Sequence, residues 1–203
     1  PAPVVAHAQR ALINVITADP DLLGLKAPLL PILTRAIDSP DAEVSKVALR
    51  AIIKFAYEDG RAFKAAFDLV RVLLRPVQAE ATTVAEVQLE LEVLETINQL
   101  TSDDDAAEDV MRRLEHLSNL VPTLVAAVSA GTSHDIKREA MGVIMNLSFT
   151  SNAGAMLQVP AFLHVVKQQA EFGPFQADAL VTLANLAEVT EDAEVLIKDG
   201  VDA

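Results

Sequence analysis

Apolar residues recur at intervals of three and four along most of the chain, which is the spacing of one face of an α-helix. Short segments rich in Gly and Pro, or in the Ser, Thr, Asp and Asn residues that commonly begin a helix, interrupt this pattern. No pair of alternating runs joined by a tight turn indicates a β-hairpin. The sequence therefore predicts an all-α protein with short loops. The predicted breaks are at 18–21, 38–41, 58–60, 75–83, 101–105, 129–135, 150–154, 171–174 and 189–192.

Five of the predicted helices end in a similar way. Each places a polar residue directly before an apolar one, in the segments QRALINVIT, LRAIIKFAY, LETINQLTS, MGVIMNLSF and VTLANLAEV. These polar positions, which we call the ladder residues, are Asn14, Lys54, Gln99, Asn146 and Asn185, and they are 39 to 47 residues apart. A period of this length is typical of helical repeat proteins.

The segment TLANLA at 182–187, and the order of segments in VPTLVAAVSAGTSHDIKREA at 121–140, resemble the armadillo repeat. In that family two shorter helices precede a long third helix. The resemblance covers almost the whole chain and is weakest at 75–116. It implies a right-handed α-α superhelix, or solenoid, of four to five repeats of roughly 40 to 47 residues. HEAT repeats have a similar period, but they have two helices per repeat and no Asn at this place.

We expect a single solenoid domain over residues 1–203. Its repeats would span about 1–27 (partial), 28–67, 68–120, 121–160 and 161–203 (partial). The chain begins inside a predicted third helix and stops where another repeat would start. Neither end has the polar surface that a terminal repeat of a solenoid needs. These features predict a segment of a longer array, or one that another chain completes.

The armadillo resemblance implies a role for the ladder residues. In that family the Asn of the third helix lines a concave groove and hydrogen-bonds the backbone of an extended peptide. A carboxamide has one acceptor oxygen and two donor hydrogens, so it can pair with a peptide unit whatever that unit's side chain is. The alternative is structural, since an Asn near a helix end can bond to its own backbone or cap the following loop. The sequence leaves both interpretations open.

Positions four and seven before each ladder residue lie on the same helix face. These positions predict a groove that is basic at its start and acidic afterwards, although solvated helix faces carry similar charges. Tyr57 and Phe149, three residues after ladder positions, either form pockets at the groove edge or belong to the core. The charged residues are Arg10, Arg50, Glu92, Glu95, Glu139 and Asp178.

Composition narrows the classes of function. The chain is 51% hydrophobic, 4% aromatic and has no Trp, so it lacks the indoles that armadillo nuclear-import receptors pair with each Asn. Its net charge is −13, with −3 on residues 1–101 and −10 on residues 102–203, and such a field repels nucleic acids and anionic lipids. The absence of Cys excludes disulfides and thiol chemistry and fits a cytoplasmic protein, with the nucleus left open. No signal peptide or membrane span is predicted.

Motifs for catalysis, nucleotide binding or metal binding are missing from the sequence. The acidic segment SDDDAAED at 102–109 lacks the rhythm of a calcium loop, and the four His residues are far apart. We therefore expect no enzymatic activity, no cofactor and no metal. The predicted function is protein–protein interaction, as a scaffold or adaptor that binds a protein or peptide segment in the groove. The alternatives are a chaperone-associated adaptor that grips folded partners through loops and outer helices, and a structural segment that self-associates through its uncapped ends.

Overall fold

The computed structural model describes residues 26–37, 39, 42–58, 83–102, 120–130, 133–150 and 153–189. Across these ranges the regular structure is helical throughout and contains no strand, which confirms the predicted all-α class. No helix in these ranges is both long enough and apolar enough to cross a bilayer. The helices are α1 (Lys26–Ile37), α2 (Ala42–Glu58), α3 (Val84–Thr101), α4 (Leu120–Ala130), α5 (His134–Ser148), a short 3-10 helix (Ala153–Gln158), α6 (Phe162–Phe172) and α7 (Gln176–Val189).

Helix ends at the predicted breaks have local causes in the sequence. At the start of α3 the Thr83 hydroxyl accepts from the Glu86 backbone N–H at 3.2 Å, and the Thr83 N–H donates to the Glu86 carboxylate at 2.9 Å. At the start of α5 the Ser133 hydroxyl accepts from the Ile136 N–H at 3.2 Å. These bonds satisfy backbone N–H groups that the first turn of a helix leaves unpaired.

The chain divides into two compact units, Pro1–Leu73 and Leu74–Ala203. In the first unit α1 packs against α2. The Ser45 hydroxyl donates to the carbonyl of Ile37 at 2.8 Å and ties the start of α2 to the end of α1. The buried residues of α1 and α2 are Leu33, Ala36, Ile37, Val44, Ala48, Leu49, Ala51 and Ile52. The continuous array over 1–203 stays a prediction.

In the second unit α5 is the central helix. It packs against α3 on one side and α7 on the other, and it also contacts α4. Helix α6 packs against both α7 and α4. The helices α3, α5 and α7 are therefore successive neighbours in one layer, and α4 and α6 form a second layer against it. The largest fully buried side chains of this unit are Leu94, Ile97, Leu120, Leu124, Ile136 and Phe162.

Candidate interaction site on α3, α5 and α7

Asn146, near the end of α5, connects this helix to α3. Its Nδ2 donates to Oδ1 of Asn98 at 2.9 Å, to the backbone carbonyl of Asn98 at 3.1 Å and to the Thr101 hydroxyl at 3.3 Å. The Thr101 hydroxyl in turn donates to the carbonyl of Ile97 at 2.9 Å, which leaves its lone pairs for the amide. Two N–H groups thus share three acceptors, all on α3.

Asn185 makes the corresponding contact between α7 and α5. Its Nδ2 donates to the hydroxyl of the buried Ser148 at 2.8 Å, and that hydroxyl donates to the carbonyl of Met145 at 2.6 Å. Thr101 and Ser148 each lie two residues after a ladder position, Gln99 and Asn146 respectively. The same amide-to-hydroxyl contact therefore recurs between α3 and α5 and between α5 and α7.

The donors of these two amides make bonds between helices, which differ from the local bonds of the structural interpretation, and peptide binding by the amides stays a prediction. Among the described residues neither amide bonds to its own backbone or to the following loop, because each NH₂ group is directed to the preceding helix. Within the described part of the chain no donor contacts the Oδ1 atom of Asn146 or Asn185, and neither oxygen is a buried atom without a partner. Both side chains are half-buried. Each carboxamide thus donates inside the protein, and its Oδ1 accepts from none of the described residues.

On α3 the contact is made by Asn98, whereas the predicted ladder residue Gln99 is exposed. The Nδ2 of Asn98 donates to the Glu139 carboxylate at 2.8 Å, and its Oδ1 accepts from Asn146. The Asn98 side chain lies across Gly142, where a Cβ atom would approach Asn98 Nδ2 to 2.8 Å. The missing side chain at position 142 is what allows Asn98 to reach both of its partners on α5.

Asn98 is not among the residues that the helix-end pattern predicts, because the repeats align on Gln99. A signal was nevertheless present in the sequence. A glycine inside a helix costs about 1 kcal/mol relative to Ala, so Gly142 in the middle of α5 indicates that another group approaches closely there.

Carboxylates predicted to line the groove come together beside this contact. Burial raises the pKa of the Glu95 carboxyl, and the nearby charges of Glu139, Glu92 and Asp135 raise it further, while Arg138 opposes them. Arg138 is paired with Asp135 at 2.9 Å and with Glu139 at 3.1 Å, and its hydrogen bond to Glu139 raises its pKa. We call Glu92, Glu95, Asp135 and Glu139 the acidic strip, and the guanidinium of Arg138 interacts with the last three of these carboxylates.

Phe149 is the predicted pocket residue that the structure places clearly. It follows the last residue of α5, and 59% of it is exposed. Its alternative assignment to the core is therefore wrong, whereas its role at a groove edge stays a prediction.

The remaining predicted site residues are distributed differently. Asp178 is half-buried on α7, where its backbone carbonyl accepts from the Thr182 hydroxyl at 2.8 Å. Arg50 is exposed on α2 in the first unit. Of Lys54 and Tyr57 only the helical backbone is described, and Arg10 and Asn14 lie outside the described residues. In the described ranges no three His, Asp or Glu side chains are grouped so as to hold a metal ion.

One residue that no sequence pattern singles out is Glu90 on α3. It is 6% exposed, and its burial raises the pKa of its carboxyl. A buried carboxyl of this kind favours its neutral form.

Comparison with known proteins gives a similarity in fold. No protein-family model matches the chain, and no curated protein matches it. The chain is similar to the crystal structure of an engineered protein from the Northeast Structural Genomics Consortium, with 22% sequence identity and a TM-score of 0.66. The match covers 98% of this chain and 79% of that chain. A likeness at this identity concerns the fold alone and carries no function.

Proposed function

We propose that this protein is a non-enzymatic interaction module, an armadillo-like solenoid whose long helices bind a segment of another protein. The order of helices in the second unit supports this architecture. The 3-10 helix, α6 and α7 have 6, 11 and 14 residues, so two shorter helices precede a longer one. The recurrence of the amide contact along α3, α5 and α7 supports a repeat in the same layer.

The observation that carries the proposal is the open acceptor on Asn146 and on Asn185. A bound segment in extended conformation presents backbone N–H groups, and each of these can donate to one Oδ1 atom. Because the amide donors already hold the neighbouring helix, the ligand pairs with the acceptor half of each carboxamide. Each such hydrogen bond contributes about 1 kcal/mol net.

The acidic strip adds a preference for charge. It lies beside the open acceptor of Asn146, since Asn98 bonds both Asn146 and Glu139, and Glu139 neighbours Glu95. A Lys or Arg side chain of the ligand would relieve the mutual repulsion of these carboxylates. We therefore expect ligands that are basic where they cross α3 and α5, with faster association at low ionic strength.

A selection from random displayed 12-residue peptides on the intact chain tests this function. We expect enrichment of peptides that contain Lys or Arg and bind as single, saturable ligands. For an enriched peptide, Asn185→Ala should weaken binding about fivefold, which corresponds to the loss of one hydrogen bond. N-methylation of one backbone nitrogen of the peptide should weaken binding to the wild type by a similar factor and have no further effect on Asn185→Ala.

Ser148→Ala is the matched control for that experiment. It removes the interhelical acceptor of Asn185 but leaves the carboxamide in place. We expect this variant to be less stable yet to bind the peptide at close to wild-type affinity in its folded state. Equal peptide affinity for wild type and Asn185→Ala, with both proteins folded, would contradict the proposed binding mode.

A further inference from the structure

The junction of α3 with α5 and the junction of α5 with α7 differ in the residues beside the Asn contact. At the first junction Asn98 lies across Gly142 and donates to the Glu139 carboxylate. The equivalent positions at the second junction are occupied by Met145 and Val181, according to the spacings of 47 and 39 residues between the ladder residues of these helices. An amide and a gap at one junction are thus replaced by two apolar side chains at the next.

The apolar side chains at the α5–α7 junction are accessible. Val181 is 38% exposed, Phe149 is 59% exposed and Met145 is half-buried. Phe149 keeps helical backbone angles, so it shares a face of α5 with Met145, four residues earlier. Val181 shares a face of α7 with Asn185, whose amide bonds Ser148 of α5. We call Met145, Phe149 and Val181 the apolar junction.

The acidic strip lies next to the apolar junction, because α5 contributes to both. Glu139 is directed to α3 by its bond to Asn98, and Met145 follows it within two turns of the same helix. A second copy of this chain is a poor occupant of this surface, because its net charge of −13 is repelled by the carboxylates. A segment that carries a cationic residue and a large apolar residue complements both parts.

The distance between the two parts sets the spacing of those residues in the ligand. Packed helices lie about 8–10 Å apart, so successive junctions in one layer of helices are separated by about this distance. An extended chain covers about 3.3 Å per residue. Residues about three positions apart therefore reach the two junctions.

We propose that the groove selects segments in which a Lys or Arg stands about three residues from a large apolar residue such as Leu or Phe. The cation binds at the acidic strip, and the apolar side chain binds at the apolar junction. This inference rests on the proposed function, because it requires a segment that crosses α3, α5 and α7. It adds Met145, Phe149 and Val181 as residues that determine specificity.

A double-mutant cycle between the protein and a peptide tests the apolar part. The probes are a peptide enriched by display on the intact chain and its variant with Ala at the apolar position. We expect Val181→Gln to weaken binding of the first peptide about tenfold and to leave binding of the Ala variant unchanged. Ile32→Gln is the matched control and should bind both peptides as the wild type does, because Ile32 is 43% exposed on α1 in the first unit.

A second variant transfers the residue pair of the α3–α5 junction to the α5–α7 junction. Selection of peptides on Met145→Asn/Val181→Gly should still enrich Lys and Arg but should no longer enrich a large apolar residue. Circular dichroism checks that every variant is folded.

The outcomes separate this inference from the proposed function. Peptides that bind saturably and lose affinity with Asn185→Ala, but carry no apolar residue at a fixed distance from Lys or Arg, would overturn the inference alone. Additive effects of Val181→Gln and the peptide substitution, or an equal effect of Ile32→Gln, would do the same. The absence of any saturable peptide would overturn both.

Discussion

The α3–α5 and α5–α7 contacts use an Asn at the same helix position but have different chemistry. At α3–α5, Asn146 shares three acceptors, and Asn98 adds a bond to Glu139 across the gap at Gly142. At α5–α7, Val181 occupies the place of Gly142, and Asn185 makes a single bond to Ser148. Two residues differ between these contacts, because Gly142 leaves room for the Asn98 carboxamide, whereas the residue of α5 equivalent to Asn98 is Met145, which has no amide. A glycine that faces an amide permits a polar network, and without this pair the contact is limited to one bond.

The largest expected effect on stability comes from giving α5, at position 142, the Val that α7 has at the equivalent position. Gly142→Val puts branched atoms where the Asn98 carboxamide lies, and Asn98 must leave its partners. We expect a loss of about 2 to 3 kcal/mol in the free energy of unfolding, measured by urea denaturation.

The control for that prediction is a double-mutant cycle. With Asn98→Ala in place the obstruction is gone, so Gly142→Val should cost much less than in the wild type. If the two substitutions were additive, the close approach of Asn98 to Gly142 would not be the cause.

A second prediction compares the two amides directly. Asn146→Ala removes the donor to three acceptors and should cost about 2 kcal/mol, whereas Asn185→Ala removes one bond and should cost about 1 kcal/mol. Chemical denaturation monitored by circular dichroism gives both values. Equal costs would mean that the additional bonds at α3–α5 contribute nothing to stability.

A third prediction compares the removal of the two acceptor hydroxyls. Ser148→Ala leaves Asn185 without its bonded acceptor and should cost about 1 kcal/mol. Thr101→Val should cost only about 0.5 kcal/mol, because Asn146 keeps both acceptors on Asn98. Thermal unfolding measures both variants. If Thr101→Val were less stable than Ser148→Ala, the acceptors on Asn98 would not compensate for the lost hydroxyl.

The smallest expected effect is a pH dependence of stability, and it arises from the α3–α5 contact. Since the pKa of Glu95 is raised on folding, the folded state binds its proton more tightly than the unfolded state does. The resulting stabilisation is full below 4.5, the ordinary pKa of a Glu carboxyl, and is lost as the pH rises through the higher pKa of the folded state.

Glu95→Gln should therefore gain melting temperature relative to the wild type as the pH increases from 4.5 to 7. Glu188→Gln removes one negative charge from α7 and controls for the general effect of net charge. An identical pH dependence in both variants would indicate that repulsion within the acidic strip has no measurable effect on stability.

Local sequence was sufficient to predict the positions of the described helices. The spacing of apolar residues, together with Thr83 and Ser133 as N-caps, predicts helix boundaries to within a few residues, because these interactions lie within one turn of the chain. The grouping of Glu92, Glu95 and Glu139 was also predictable, since equivalent faces of neighbouring helices meet in a repeat. The 3-10 helix at Ala153–Gln158 was not predicted, because it begins in the break at 150–154, where the periodic pattern stops.

The sequence by itself thus determined the all-α class, most helix limits and the recurrence of Asn146 and Asn185, all of which depend on residues close together in the chain. Only the tertiary structure decided that Asn98 rather than Gln99 contacts α5, and that the amide donors hold the neighbouring helix while their oxygens remain open. Those outcomes depend on the rotation of one helix against another. That rotation is set by side-chain volumes such as the gap at Gly142, across partners 41 to 48 residues apart.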